Sequence, residues 1–302
     1  MNAIVAEALG KRYHEQTALA DVSFSLPQGT LLALLGHNGA GKTTLMKLML
    51  GLIHPTSGSV RVLGQMPSAA ALAFRRQLGF LPENVAFHDE LNGRDTLRYF
   101  ARLKGERPAV CDDLLERVGL SFAAGRRVKT YSKGMRQRLG LAQALLGKPR
   151  ILLLDEPTTG LDPVLRREVF AILGELTRNG ATVVLSSHIL TELDARTELV
   201  AIMRRGRLAA WGTLPALCGN AGMPIRIRLA APGGPASLAP HLNGFPVSAV
   251  DGRTVELTCS QQDKMAVLRH VAALGALVED VEMRLPGLDD VYLHYGQGDD
   301  PE

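Results

Sequence analysis

Short apolar runs alternate with helical patterns along much of the chain. Leu31–Leu35, Ile151–Leu154 and Thr182–Ser186 are continuous apolar or nearly apolar runs, which predict strands buried on both faces. A helical pattern at Thr43–Gly51 follows the first run, and helix signals also follow the third. This alternation is typical of a mainly parallel sheet flanked by helices. We therefore predict an α/β fold.

A helical insert separates the first of these strands from the second. Gly93–Lys104 and Ala109–Val118 have helical patterns that end at Gly105 and Gly119, and Lys133–Leu146 is predicted as a further helix. The insert corresponds to a helical subdomain of about residues 87–147.

The pattern changes near residue 222. Ile225–Leu229 (IRIRL) alternates apolar and basic residues, which predicts a strand with one face in water. A Pro/Gly loop follows, and the remaining predicted elements are a strand at Thr254–Thr258, a helix at Gln261–Ala273 and a strand around Leu277–Met283. We predict two domains, a larger one over residues 1–221 and a small α/β domain over residues 222–302.

The strongest chemical signal is the run from Gly36 to Thr43, which reads GHNGAGKT. It lies between a predicted strand and a predicted helix. Glycines let successive backbone N–H groups point at phosphate oxygens, and the helix N-terminus adds the positive end of its dipole. Lys42 would reach the β- and γ-phosphates, and the Thr43 hydroxyl would bind Mg²⁺. The pattern predicts a nucleotide site.

Two acids follow the apolar run Ile151–Leu154. Asp155 would lie at the carboxyl edge of the sheet beside the phosphate loop, where it can hold Mg²⁺. Glu156 would then orient and deprotonate an attacking water. The alternative is an acidic cap for the next helix. A pair of acids after a buried strand, downstream of a phosphate loop, favours the catalytic interpretation.

Composition and charge narrow the class of protein. Hydrophobic residues make up 46% of the chain and charged residues 21%, as in packed globular proteins. The net charge is only +4, aromatic residues are 5%, and no long Lys/Arg run occurs. These values indicate a slightly basic surface that tolerates nucleotides or lipid headgroups, and they argue against a nucleic-acid binder. The three cysteines form no CxxC pair, which indicates a reducing cytoplasm.

The sequence predicts neither a signal peptide nor a membrane span. The N-terminus MNAIVAEALGKRY lacks the basic start and apolar stretch of a leader. The uncharged stretches Leu208–Ile225 and Leu229–Val250 are broken by prolines and glycines, which suits a spanning helix poorly.

Further motifs resemble those of the ATPase subunits of ABC transporters. Tyr131–Arg138 (YSKGMRQR) resembles the signature motif of that family, and Thr159–Asp162 (TGLD) resembles the loop through which its two subunits touch. His188 follows a strand and matches the switch histidine, and Tyr13 matches the aromatic residue that stacks on adenine. The resemblance spans residues 1–215.

The resemblance implies a P-loop ABC ATPase domain with a mainly parallel sheet core, an antiparallel β subdomain and a helical subdomain. It implies ATP and Mg²⁺ as cofactors and a homodimer that closes on ATP. The implied nucleotide-binding residues are Tyr13, Gly36, His37, Asn38, Gly39, Ala40, Gly41, Lys42, Thr43, Thr44, Ser132, Lys133, Gly134, Met135 and Asp162. Glu156 and His188 would be catalytic, and Thr43, Glu83 and Asp155 would hold Mg²⁺.

Each match also has a structural interpretation. Tyr13 could pack beside a strand, His188 could be a hydrogen-bonded core histidine, and Ser132 could only cap its helix. The sequence departs from the family pattern at Lys133 and Met135, where Gly and Gln are usual, and at Glu83, where Gln is usual. Lys133 would either add charge near the phosphates or lie in solvent.

A closer resemblance is to the NosF subgroup, the ATPases of the NosDFY system that matures the copper sites of nitrous oxide reductase. The stretches that carry it are LGHNGAGKTTLMKLMLGL, LGFLPENVAFHDEL, RDTLRYFARLKG and the run from Arg126 to Pro163. It implies a NosY-like integral membrane subunit, a NosD-like periplasmic protein reached through it, and a peripheral place on the cytoplasmic face of the inner membrane. The histidines and cysteines do not cluster at ligand spacing, so no copper site is predicted in this chain.

Other classes remain as alternatives. ATPases of drug, haem or polysaccharide exporters share every ATP motif, so only the membrane partner would separate them from the NosF-like interpretation. A ribosome-acting ABC protein would need two cassettes, and a DNA-repair ATPase would need a long coiled coil between Glu83 and Ser132, which the sequence lacks. We therefore predict no nucleic-acid partner. The domain from residue 222 could stabilise the dimer or respond to a cytoplasmic signal.

Overall fold

The computed structural model describes residues 1–68, 70–187, 190, 193, 197–242 and 244–297. The chain forms two compact units, Met1–Gly212 and Thr213–Glu302. The second unit begins at a helix, Leu214–Asn220, whose first turn is capped by the Thr213 hydroxyl. The boundary predicted at residue 222 falls after this helix, because the change in hydrophobic pattern appears only at the following strand.

Strands and helices alternate through the first unit. In chain order its strands are β1 (Asn2–Tyr13), β2 (Gln16–Pro27), β3 (Leu31–Leu35), β4 (Ser57–Val62), β5 (Leu78–Leu81), β6 (Ile151–Asp155), β7 (Thr182–Ser186), β8 (Leu199–Arg204) and β9 (Arg207–Gly212). Its helices are α1 (Lys42–Met49), α2 (Leu72–Arg76), α3 (Gly93–Lys104), α4 (Val110–Arg117), α5 (Lys133–Leu145) and α6 (Pro163–Arg178).

The central sheet has the order β5-β6-β7-β3-β8-β9. All neighbours in it are parallel except β8 and β9. Every residue of β3, β6 and β7 is buried, which explains their uninterrupted apolar sequences. The predicted mainly parallel core is confirmed. Since parallel strands end at one edge, the loops after β3 and β6 lie on the same side of the sheet.

A second, antiparallel sheet has the order β2-β1-β4. Its apolar side chains, including Leu9, Val22 and Leu26, join Leu45 and Met49 of α1 in one hydrophobic core. The pairing of β1 with β2 shifts register at several points. Ala8 in β1 has a φ of 47°, a left-handed conformation that breaks the regular alternation of side chains.

Helices α3, α4 and α5 form the predicted helical insert, and polar side chains join them to one another and to the sheet. Tyr131 is buried and donates its hydroxyl to the Ala123 oxygen at 2.7 Å. Lys104, the last residue of α3, donates from Nζ to the Leu78 and Leu146 oxygens, both at 2.8 Å. The ammonium group therefore ties the end of α3 to β5 and to the end of α5.

The second unit is a smaller α/β unit. Its strands are β10 (Ile225–Ala230), β11 (Val247–Ala249), β12 (Thr254–Cys259) and β13 (Asp280–Arg284), and its helices are α7 (Leu214–Asn220), α8 (Pro235–Leu238), α9 (Lys264–Ala273) and α10 (Leu288–Gln297). The sheet is antiparallel with the order β11-β12-β10-β13. Ile227, Leu229 and Leu257 on one face form a core with Val267 and Val271 of α9. The arginines of β10 lie on the other face, as the IRIRL alternation predicted.

None of the helices in the described part of the chain is both long enough and apolar enough to cross a membrane.

Candidate nucleotide site

The predicted phosphate loop connects β3 to α1. Gly36 has a φ of 152°, and a Cβ there would lie 2.6 Å from the Met203 oxygen. Gly41 precedes the helix with a φ of 104°, and a Cβ there would lie 2.8 Å from the Ala18 oxygen. Both positions therefore exclude any larger residue. A glycine-rich loop of this kind before a helix can direct its N–H groups toward an anion at the start of α1.

Lys42 is the first residue of α1, and its side chain folds back over the loop. Its Nζ donates to the Gly36 oxygen and, at 3.2 Å, to the His37 oxygen. The residue is only 8% exposed. Burial lowers the pKa of Lys42, and the negative charges of Glu156, Asp155 and Glu83 act in the opposite direction. Lys42 thus lies within the field of all three carboxylates proposed for the site.

Asp155, the last residue of β6, is buried and bonded from two sides. The Thr43 hydroxyl donates to Asp155 Oδ2 at 2.8 Å, and the Ser186 hydroxyl donates to Oδ1 at 2.6 Å. Ser186 is the register partner of Asp155 on β7, so the parallel pairing itself sets this contact. The carboxylate is therefore held in one orientation beside the Thr43 hydroxyl.

Glu156 follows in a strained backbone conformation with a φ of 52°. Its N–H donates to the Ser186 hydroxyl oxygen at 2.9 Å, and its carbonyl accepts from Gln137 Nε2 at 3.1 Å. Ser186 therefore bonds both acidic residues. These two fixed bonds over-determine the backbone at Glu156 and hold it in a conformation that non-glycine residues rarely adopt.

The donor set fits Mg²⁺ better than a metal that requires a protein cage. Among the described residues, no group of three or more His, Cys, Asp or Glu side chains could hold a metal ion. Mg²⁺ is usually held by one or two protein oxygen ligands together with phosphate oxygens and water. Thr43 and Asp155 already bring two oxygens together at the loop. Glu83 is exposed and follows β5, close enough to act on the charge of Lys42.

The predicted signature segment packs on the loop that precedes α6. Ser132 caps α5 by accepting from the Met135 N–H at 3.2 Å. A Cβ on Gly134 would lie 3.0 Å from the Gly160 oxygen, and one on Gly160 would lie 3.2 Å from Lys133 Cδ. The stem of Lys133 therefore covers Gly160. No hydrogen bond or ion pair in the described structure joins residues 132–135 to residues 36–44 of the same chain.

The other predicted residues have simpler surroundings. Tyr13 is 41% exposed, and Lys11 Nζ lies 5.1 Å from its ring centroid. Asp162 caps α6 by accepting from the Val164 and Leu165 N–H groups at 2.9 and 3.0 Å. His37 is exposed, and its Nδ1 lies 2.7 Å from the main-chain oxygen of Asn38. His188 lies outside the described residues.

The sequence analysis missed Ser186 and Gln137. A signal for Ser186 was present, because a hydroxyl residue at the end of the apolar run TVVLS must find a partner at the sheet edge. Gln137 is 3% exposed, yet its place in the helix gives no local sign of burial. Its partner, the Glu156 carbonyl, becomes apparent only in three dimensions.

Comparison with known proteins gives consistent matches. A family profile described as ABC transporter matches residues 19–159. The daunorubicin resistance ATP-binding protein DrrA3 of Streptomyces coeruleorubidus is 38% identical across 99% of this chain and 96% of its own length. The bacitracin transport ATP-binding protein BcrA of Enterococcus faecalis is 38% identical across 68% of this chain and 67% of its own. A solved structure described as the ATP-binding subunit of an ABC transporter has a TM-score of 0.69 and 31% identity, and the match covers 73% of this chain and 94% of that one.

Proposed function

The chain belongs to the ABC transporter family as an ATP-hydrolysing subunit with the P-loop ABC ATPase fold, and on this premise we propose how it acts. Two copies bind Mg–ATP between them and drive a separate membrane subunit. The observation that carries this proposal is the set of bonds that joins Thr43, Asp155, Ser186 and Glu156 beside the loop of Lys42. That arrangement supports the proposal because it holds two oxygens suited to Mg²⁺ and an acidic residue together beside the loop.

Within one copy, residues 36–44 cradle the phosphates of ATP. Lys42 exchanges its bonds with the Gly36 and His37 oxygens for phosphate oxygens, and Tyr13 stacks on the adenine. Thr43 and Asp155, with help from Glu83, would hold Mg²⁺, which would supply positive charge beside the phosphate oxygens. Each of these residues lies in the first unit.

Hydrolysis uses Glu156 as the general base toward an attacking water. Its backbone is fixed by Ser186 and Gln137, so only its side chain has to adjust to the substrate. His188, which follows β7, is proposed to contact the γ-phosphate.

The second copy completes the site. Ser132–Met135 at the start of α5 present a helix N-terminus to the γ-phosphate held by the opposite copy, and Asp162 lies in the loop through which the copies touch. The absence of a bond from residues 132–135 to the phosphate loop of the same chain supports this division, at least among the described residues. Loss of the γ-phosphate removes the attraction that closes the dimer.

We propose that the transporter is an exporter and that its cargo is a compound such as an antibiotic. The match to the daunorubicin resistance ATP-binding protein over 99% of this chain supports it, because it includes the second unit as well as the ATPase core. The second candidate is copper or sulfur delivery in nitrous oxide reductase maturation, with NosY-like and NosD-like partners. The only support for this second candidate is the resemblance of the stretches around the phosphate loop and the signature segment to NosF. In both cases the membrane subunit would hold the chain at the cytoplasmic face of the inner membrane.

Purification of the tagged chain from gently solubilised native membranes tests this function. A co-purifying polytopic subunit without a periplasmic partner supports the export class. A polytopic subunit together with a periplasmic solenoid-type protein supports the maturation class instead. Recovery of ribosomal or DNA-bound partners, with no membrane protein, would contradict both. ATPase activity of the purified chain and its Glu156→Gln variant shows separately whether the motor itself is intact.

A further inference from the structure

Strand β13 forms one edge of the sheet in the second unit. In the part of the chain that the structure describes, β10 pairs with one side of β13 and no strand pairs with the other. All five of its residues, Asp280–Arg284, are exposed. An exposed edge strand with apolar side chains is a ready template for pairing with another chain. Val281 and Met283 are 41% and 38% exposed although they lie on the same face as the core of this unit.

The register identifies which backbone groups face the open side. The Ala231 N–H donates to the Arg253 oxygen, so alternate residues of β10, from Ile225 to Leu229, bond to β12. The residues between them bond to β13, whose Asp280, Glu282 and Arg284 are their register partners. The N–H and C=O groups of Val281 and Met283 therefore lie on the open side of β13. There the Val281 N–H donates to Asp280 Oδ1 at 2.8 Å, a bond that pairing with another strand would replace.

The sequence of this edge, DVEMR, is complementary to itself when read antiparallel. A two-fold axis through Glu282 places Asp280 opposite Arg284 of the second copy, and Val281 opposite Met283. Each of these contacts occurs twice in such an arrangement. The four outward-facing residues would form hydrogen-bonded pairs, because Val281 and Met283 are the residues whose backbone groups point outward.

Asp280 and Arg284, at the two ends of β13, face no opposite charge across their own sheet, although Asp280 accepts the Val281 N–H. Asp280 lies opposite Ala230, and Arg284 lies opposite Arg226, a pair of like charges. Neither Asp280 nor Arg284 has an ion-pair partner within 4.0 Å among the described residues. A second copy would supply an opposite charge to each. The central glutamates would be flanked by Arg228, whose Nη1 lies 4.0 Å from Glu282 Oε2.

We propose that the second unit is a dimerisation module in which β13 pairs antiparallel with β13 of a second copy. The two four-stranded sheets then form one continuous sheet, and Val281 and Met283 of both copies extend the apolar core across the two-fold axis. Charged residues often protect an edge strand from pairing. Here their order favours pairing with an identical strand and disfavours other registers. This contact requires no nucleotide, and it keeps two copies together whenever the ATP-dependent contact opens.

Sedimentation of the full-length chain without nucleotide tests the proposal. The unaltered chain is expected to form dimers at micromolar concentration. Asp280→Arg places arginines opposite each other twice and should weaken the dimer by about tenfold or more. The double variant Asp280→Arg/Arg284→Asp restores opposite charges and should return the dissociation constant to within about threefold of the original. Arg253→Asp, an exposed charge reversal in the turn before β12, serves as the matched control and should change nothing.

A monomeric chain without nucleotide would overturn the proposal, as would a double variant no better than Asp280→Arg. Growth into larger oligomers would indicate head-to-tail pairing of β13 with β11 and would also overturn it.

A crosslink tests the register directly. The native cysteines are all buried, so a single introduced cysteine reports its own position. Glu282→Cys places two thiols across the axis in a non-hydrogen-bonded pair, where the Cβ separation of about 4.5 Å permits a disulfide. Mild oxidation without nucleotide should convert this variant to a covalent dimer and leave Arg253→Cys monomeric on a denaturing gel. Equal crosslinking of the two variants, or none at Glu282→Cys, contradicts the pairing.

Discussion

Gln137 donates from Nε2 to the main-chain oxygen of Glu156 at 3.1 Å. The bond joins α5, the helix that begins at Ser132, to the end of β6, and Gln137 is almost completely buried. The helix whose N-terminus is proposed to meet the nucleotide of the other copy is thus coupled by a hydrogen bond to the backbone of the proposed general base in its own copy. A shift of α5 would alter the position of Glu156 directly.

Removal of the Gln137 amide should therefore impair catalysis more than binding. In Gln137→Ala the Glu156 carbonyl loses its partner, at a cost of about 1–3 kcal/mol. We expect kcat to fall by about three- to tenfold with little change in ATP affinity. Steady-state ATPase assays and nucleotide titrations measure the two effects. Gln143→Ala on the same helix is the control, and an equal loss of kcat there would attribute the effect to the helix rather than to this bond.

Glu156→Gln should keep ATP binding and slow turnover by about 10²–10⁴-fold, the usual contribution of a positioned general base. The amide is close to isosteric with the carboxylate but cannot accept the proton from water. Single-turnover hydrolysis measures the chemical step. Glu168→Gln, an exposed glutamate on α6, serves as the control. Near-normal turnover in Glu156→Gln would remove this residue from the catalytic role.

Lys42→Ala should abolish measurable nucleotide affinity, because the buried ammonium is the cation held inside the phosphate loop. Lys47→Ala removes the same charge from the exposed side of the same helix and should leave affinity unchanged. Isothermal titration with Mg–ATP compares the variants. Equal affinity in the two would mean that the loop does not bind phosphate in the proposed way.

Gly93→Ala should destabilise the helical insert, because a Cβ there would overlap the Tyr131 hydroxyl. Overpacking of this kind costs about 1–3 kcal/mol. Tyr131→Phe removes the nearest atom, so the double variant should recover part of the loss relative to the sum of the single changes. Gly125→Ala, with no neighbouring atom within 4 Å, is the control. Denaturant unfolding measures the free energy of unfolding of the unaltered chain and of the four variants, and strict additivity of the Gly93 and Tyr131 changes would exclude the steric explanation.

Lys104 should give the unfolding free energy a characteristic pH dependence. Burial lowers the pKa of Lys104 to about 8, against 10.5 for a free lysine. Below pH 8 the residue is protonated in both states, and its buried charge opposes folding. Between these two pKa values the unfolded state binds more protons, so stability rises with pH. The neutral amine still donates to the Leu78 and Leu146 oxygens.

The measurement is the unfolding free energy of the unaltered chain minus that of Lys104→Met, taken from pH 7 to pH 10. Groups common to the two chains cancel in this difference. We expect it to increase above pH 8 and to stay constant below. A difference that is flat or decreases above pH 8 would show that Lys104 keeps an ordinary pKa.

The hydrophobic pattern predicted the buried elements well and the irregular ones poorly. Leu31–Leu35 and Thr182–Ser186 were predicted with the bounds that the structure shows, because strands buried on both faces are apolar throughout. Gly93–Lys104 was equally clear, since Gly105 ends it in a left-handed conformation. By contrast, β1 and β2 were not predicted, because bulges such as that at Ala8 disrupt the period of two.

The site divides in the same way. The glycines and the lysine of the loop, such as Gly36 and Lys42, could be proposed from the sequence, because phosphate binding requires those residue types in a fixed order. Ser186 and Gln137 could not be predicted, since their importance depends on strand register and on a helix packing against a distant loop. Edge strand β13 was only partly predictable. The sequence indicated a strand near these residues, but it could not show that one side of that strand lacks a partner.

The central position of β3 also affects the synthesis of the protein. Its two neighbours, β7 and β8, begin at residues 182 and 199, so β3 has no sheet partner until most of the first unit has been translated. Ser186, the last residue of β7, follows Leu35 by 151 residues (186 − 35). At about 5–20 residues per second, ribosomes need on the order of 10–30 s for that length. Throughout this interval the strand LLALL lacks both strands that accept and donate its backbone hydrogen bonds in the folded sheet, so the central sheet forms late in translation.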